Sequence, residues 1–150
     1  MFTYKKTPMI RFVTMLLIAA LVVPVGVNAA TPETVQPYAS AYLDAYGAYV
    51  YLPGGGPVRV YFTVEGTGFM DEIGALNIEV WESVNGTDWT WVRSFTHDLY
   101  PGMLSYNDDY HSGYVTYYGI PGRYYKAYVC VWAGKNGDGH TRYFWTSVKQ

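Results

Sequence analysis

Acid and base catalysis of glycoside hydrolysis needs two carboxyl groups facing each other across a cleft, and the chain offers two candidate pairs, Asp71-Glu72 and Asp108-Asp109. Adjacent residues of an extended chain point to opposite sides, so neither pair is catalytic by itself. One member of each could meet the other across a shared rim, although solvated loop acids explain both. The histidines His97, His111 and His140 lack the close spacing of zinc ligands, so metal binding is not expected. His97 and His111 flank one long connection and could meet there, with Asp98 or Asp109 as a third ligand. Asn136-Gly137-Asp138-Gly139 has part of a calcium-loop pattern but supplies two side-chain oxygens and no closing acid. A glycine-rich hairpin turn explains it. No Gly-x-Ser-x-Gly occurs, and Cys130 lies within a strand pattern rather than at a helix N-terminus, where its thiolate would be stabilised. No catalytic residue, cofactor or metal ligand is therefore assigned.

What remains is aromatic. Seventeen tyrosines, six phenylalanines and five tryptophans stand among 150 residues, and rings favour half-buried pleated surfaces. Along 123–133, one parity puts Tyr125, Ala127, Val129, Val131 and Ala133 in the core and turns Tyr124, Lys126, Tyr128, Cys130 and Trp132 outward. Three rings then stand in a row at ~7 Å intervals. The opposite parity buries Tyr128, Cys130 and Trp132, which suits a free thiol. The outward row is preferred because Lys126 is better solvated there. On that reading Trp132, Tyr128 and Tyr124 are the first candidate ligand-binding residues and Trp81 the second, since flat rings suit sugar C–H faces and the centres of protein interfaces. Tyr49, Tyr51, Tyr114 and Tyr118 offer further rings, and cross-strand tyrosine ladders can also serve stability alone.

Positioning such rows falls to strands. Short alternating segments, separated by Gly, Pro, Asn and Asp clusters about every ten residues, predict an all-β fold, a single seven-stranded antiparallel β-sandwich over 38–150. The strands are expected over 41–52, broken near Gly47, then 58–65, 76–83, 89–96, 112–118, 123–133 and 141–148. The second is the clearest, with Val58, Val60, Phe62 and Val64 on one face and Arg59, Tyr61, Thr63 and Glu65 on the other. Residues 66–74 read as a loop, and 97–110 as a long irregular connection with room for a short edge strand. Asn85-Gly86 marks a hairpin turn. Asn85-Gly86-Thr87 also spells a glycosylation acceptor, but the turn already accounts for it.

Ahead of this domain, residues 1–29 read as an export signal. Lys5, Lys6 and Arg11 give a positive start, 12–27 an apolar stretch, and Val27-Asn28-Ala29 a cleavage site. The mature chain would begin at Ala30, with 30–37 a short extension. Thr14 and Pro24 interrupt an apolar stretch shorter than the ~20 residues of a membrane span, so cleavage is expected over a retained anchor. Cleavage leaves seven Lys and Arg against twelve Asp and Glu, a formal charge of −5. With those seven cations spread singly, neither nucleic acid nor an anionic membrane is an expected partner. A single cysteine excludes an intramolecular disulfide, so the core alone must hold the domain.

The run Tyr117-Tyr118-Gly119-Ile120-Pro121-Gly122-Arg123-Tyr124-Tyr125, continuing to Ala133, resembles the end of a fibronectin type III or immunoglobulin-like sandwich. In those domains a Gly-Pro corner leads into a strand that opens with a buried tyrosine whose hydroxyl reaches back to the corner backbone. The resemblance gives Tyr125 that role and is silent on function. The mature sequence is also similar to a family of small secreted Gram-positive bacterial proteins known only as a domain of unknown function. Met70-Asp71-Glu72-Ile73-Gly74, the hairpin from Glu82-Ser83 to Trp89-Thr90, Tyr100-Pro101-Gly102-Met103, and Ala133 to Gly137 with Arg142-Tyr143 carry that likeness. It implies export and a sandwich fold, and no catalytic residue.

The expected function is that of a secreted, non-enzymatic binding module recognising an extracellular glycan or protein through Trp132, Tyr128, Tyr124 and Trp81. The alternative is a structural protein that self-associates into a surface layer or matrix. A remote third is a small hydrolase built from His97, His111 and the loop acids. Ligand identity and oligomeric state do not follow from the sequence.

Overall fold

The computed structural model describes residues 33–35, as backbone, and 40–150. The export signal, its cleavage site and most of the extension lie outside the described residues. The described chain is all-β and antiparallel. Its strands are β1 (Glu33–Val35), β2 (Leu43–Tyr51), β3 (Pro57–Ser83), β4 (Thr90–Thr96), β5 (Leu104–Tyr118), β6 (Tyr124–Lys135) and β7 (Asp138–Trp145), with a 3-10 turn at Pro101–Met103. Among the described residues no helix is long and apolar enough to cross a membrane.

All seven strands belong to one sheet in which β3, 27 residues long, is the spine. Along its first half, β3 pairs with β2 on one edge and β5 on the other. Along its second half it pairs with β6 on one edge and with the start of β5, then β4, on the other. The expected loop at 66–74 is therefore a corner within a strand, and the expected pair of separate sheets is one sheet bent across that corner. Two halves share one core because β3 and β5 cross between them. Residues 66–69 of β3 stand against Asp109 alone, a bulge that turns the strand. Gly66 permits it, because a Cβ there would meet the Gly68 carbonyl and the Met70 side chain at 2.9 Å. Gly74, with φ 147°, leaves room for the Met103 carbonyl.

Other boundaries move for related reasons. Residues 104–110, expected as irregular, open β5 because β3 offers them an edge. Gly47 is paired with Thr63 and does not break β2, whose irregularity falls between Leu43 and Ala45. Asn136 and Gly137, with φ of 57° and 79°, make a two-residue hairpin turn, so β7 begins at Asp138.

The core follows the period of two. Val58, Val60, Phe62 and Val64 from the first half of β3 are at most 1% exposed. They meet Ile73, Ala75, Ile78 and Val80 from the second half and Leu43, Tyr46, Ala48 and Val50 from β2. Each large side chain so buried contributes ~1.5–3 kcal/mol. Tyr125 closes one end of the core. Its hydroxyl accepts from the Ile120 N–H at 2.7 Å and lies 3.0 Å from the Ile120 carbonyl and 3.2 Å from Glu82 Oε2. Glu82 also pairs with Arg123. Tyr125, the second residue of β6, thus reaches back to the corner before it.

Candidate functional site

In β6, Tyr125, Ala127, Val129, Val131 and Ala133 are all 2% exposed or less. The other parity, Tyr124, Lys126, Tyr128, Cys130 and Trp132, therefore forms the outer row. Tyr128 and Trp81 are brought together through a third ring that sequence reasoning passed over, Trp145. The Tyr128 and Trp145 ring centres are 4.9 Å apart, and Trp145 meets Trp81 edge-on at 5.8 Å. Tyr143 stacks on Tyr128 at 6.0 Å. The register causes this, since β6 sets Lys126 beside Trp81 of β3 and Tyr128 beside Trp145 of β7.

Lys126 stands between two indoles. Its Nζ is 4.3 Å from the ring centres of both Trp89 and Trp145, so its charge rests on two π faces. Among the described residues it makes no ion pair with a carboxylate. Beside this cluster the Trp81 indole N–H points to Glu79 Oε2 at 3.4 Å. Ring faces, an ammonium, a carboxylate and phenol hydroxyls thus alternate on one exposed surface, with Trp145 44% and Tyr143 62% accessible.

Trp132 and Tyr124 lie apart from that cluster, at opposite ends of the row. The Trp132 indole lies over Gly134 and Gly139, where any Cβ would collide with it. It also lines an open groove of about 550 Å³ shared with Asp71, Glu72, Tyr106, Asn107 and Asp138. Tyr124 covers the hairpin at Gly86. Cys130 belongs to the outer row yet is only 4% exposed. Burial pushes its thiol pKa up, although the Tyr143 hydroxyl opposes this. The bond to that thiol in turn raises the Tyr143 hydroxyl. Facing outward and being accessible are thus separate properties at this position.

The residues considered for catalysis mostly contact groups other than one another. His111 Nε2 is 2.9 Å from the Gly102 carbonyl, His140 Nδ1 is 2.6 Å from Ser40 Oγ, and His97 is 3.7 Å from its neighbour Asp98. Among the described residues no group of three His, Cys, Asp or Glu side chains is placed to hold a metal ion. Asp71 accepts from the Asn136 N–H at 2.6 Å and shares its groove with Glu72 and Asp138, not with Asp108 or Asp109. Asp138 accepts from the Tyr42 hydroxyl at 2.9 Å and the Gly139 N–H at 2.8 Å, which hold its carboxyl below the ordinary value. Asp108 is lowered by the Ser105 hydroxyl and the N–H groups of Tyr110 and Asp109.

The first half of the sheet carries its own outer rings. Tyr49, Tyr61 and Tyr114 are directly opposed across β2, β3 and β5, with both centre distances 5.1 Å and the first pair only 8° from parallel. Tyr143 and Trp145 could have been found from the sequence, as alternate residues of the last strand. Trp89, in the loop before β4, left no such signal. No protein-family model matches the chain, and no curated protein matches it significantly.

Proposed function

We propose that the protein is an exported, non-enzymatic binding module that recognises a glycan through the outer face of β6 and its neighbours. The observation that carries this is the cluster of Trp81, Tyr128 and Trp145, with the Lys126 ammonium held between Trp89 and Trp145 and the rings partly open to solvent. Indole and phenol faces suit the apolar faces of sugar rings, while Lys126, Glu79 and the hydroxyls offer donors and acceptors for sugar hydroxyl groups. A protein partner fits less well, since the centre of a protein interface is depleted in charge and an ammonium stands in the middle here. The groove beside Trp132 would extend the site, and Tyr124 would end it.

Export rests on the basic and apolar order of residues 1–29, and the kinship with small secreted Gram-positive proteins on the motifs already quoted. The finer fold reading is an immunoglobulin-like or fibronectin-like sandwich. The Tyr125 corner and the core shared by two sheet halves support it. A glycan array followed by titration of the best ligand tests the function, comparing the wild type with Trp132→Ala, Trp81→Ala and Trp145→Ala. Loss of affinity of about tenfold or more is expected for Trp81→Ala and Trp145→Ala. Wild-type affinity in all three overturns the site.

One observation favours a second reading, self-association. Among the described strands β5 pairs only with β3, so its other edge is free over 15 residues that include Tyr106, Tyr110, Tyr114 and Tyr118. Such an edge can pair with another copy. Light scattering over a concentration series decides, since a monomer at the highest concentration removes this reading.

A further inference from the structure

The outer face of the first half is rich in hydroxyls. Tyr49 and Tyr51 of β2, Tyr61 and Thr63 of β3, and Ser112, Tyr114 and Thr116 of β5 share it with two charged residues, Arg59 and Glu65. Those two are six residues apart on one strand, ~20 Å, too far to pair. Among the described residues Arg59 makes no ion pair. This is unusual company for an arginine in a chain whose acids outnumber its bases.

The geometry around Arg59 is that of a held cation. Its register neighbours are Tyr51 and Thr116, and its guanidinium carbon is 5.6 Å from the Tyr114 ring centre. Nε is buried without a hydrogen-bond partner, while Arg59 as a whole is only half-buried. A ring thus lies against the guanidinium, and the side chain stays half-exposed. The Tyr61 hydroxyl, with the phenol oxygens of Tyr114 and Tyr51, raises the guanidinium pKa despite some desolvation, so the charge is permanent. Tyr51 and Tyr114 are 46% and 56% exposed, which keeps the approach clear.

A planar guanidinium fork matches carboxylate, sulfate and phosphate, and phenol hydroxyls can donate to the remaining oxygens. We propose that Arg59, with the hydroxyls of Tyr51, Tyr61 and Tyr114, forms a second site that binds a small oxyanion, either free or carried as the acidic group of a sugar. This site is independent of the tryptophan cluster and of its proposed glycan.

Calorimetric titration of the full mature protein at low ionic strength tests it, with inorganic sulfate, inorganic phosphate and sodium glucuronate as separate probes. Saturable binding of at least one probe is expected, weakening as sodium chloride is added. Preference for glucuronate points to a sugar acid, and preference for sulfate or phosphate to a tetrahedral anion. Arg59→Gln should weaken binding at least tenfold, and Arg59→Lys, which keeps the charge without the fork, should fall between. Circular dichroism melts establish that each variant is folded. If Arg59→Gln does not fold, Arg59→Lys decides, and wild-type affinity there overturns the site. Absence of saturable binding to all three probes, or full affinity in folded Arg59→Gln, overturns it as well.

Discussion

The two outer faces of this sheet are built from the same alternation and arrive at different surfaces. Across β2, β3 and β5 the rings of Tyr49, Tyr61 and Tyr114 oppose one another in register, and the first two lie nearly parallel. The faces of Tyr49 and Tyr61 are spent on each other, as in a ladder that stabilises strand pairing, while Tyr114 leans at 35° and stays 56% exposed. Across β3, β6 and β7 Tyr143 stacks on Tyr128, but Trp145 meets Trp81 at 69° and Tyr128 at 40°, with Lys126 wedged between Trp89 and Trp145. Tilted rings leave faces and edges open. Ring content alone does not make a binding surface; what counts is how much of each ring its neighbours have already covered.

Paired substitutions break or sharpen this contrast. Tyr61→Ala removes three ring contacts, to Tyr49, Tyr51 and Tyr114, and should cost about 2 kcal/mol, a fall of about 8–12 °C in Tm by calorimetry. Its effect on affinity at the tryptophan cluster should be negligible. Trp145→Ala should do the reverse, losing affinity while costing about 1 kcal/mol or less. Equal stability losses would show that both faces are structural, and the contrast would fall.

How far this was legible in the sequence depends on whether the deciding contacts were local. Val58, Val60, Phe62 and Val64 alternate with polar residues, so their burial could be read from the period alone. The inward set of β6 followed from Tyr125 and Lys126. The continuity of β3 through Gly66, Gly68 and Gly74 could not be read, because those glycines serve equally for a loop or a bent strand. The choice is made by β5 and β6, which pair with Ile73 from both sides. Two expected strands merge into β3, and β1, which was not expected, joins the sheet beside β2. The cage around Lys126 was illegible for a similar reason, since it depends on the register of β6 and β7 and on the loop that carries Trp89.

A smaller effect tests how the tryptophan face is sealed. Cys130 faces the same side as Tyr128 and Trp132, yet its thiol is buried beside Tyr143. Alkylation under native conditions should therefore be slow at neutral pH, where a raised pKa also keeps the thiolate scarce. Tyr143→Ala should speed it by about an order of magnitude, measured by mass spectrometry. An unchanged rate would mean that other residues cover the thiol, and that Tyr143 is free to serve ligand alone.

The smallest effect separates the faces by pH. Asp138 and Asp108 have carboxyls held below their ordinary 3.8, so the stability they contribute is present above about pH 4 and lost as pH falls through the lowered values. The Cys130 thiol and the Tyr143 hydroxyl lie above their ordinary 9.0 and 10.0, so their contribution is present below those values and lost as pH rises through the raised ones. Tm plotted against pH should form a plateau with an acid and an alkaline limb. Asp108→Asn removes the carboxylate that the Ser105 hydroxyl and the N–H groups of Tyr110 and Asp109 hold, and should flatten part of the acid limb only. Cys130→Ala should flatten the alkaline limb only, because the pair it breaks lies on the tryptophan face. If either substitution moves both limbs, the two regions are coupled through the core and do not act as separate surfaces.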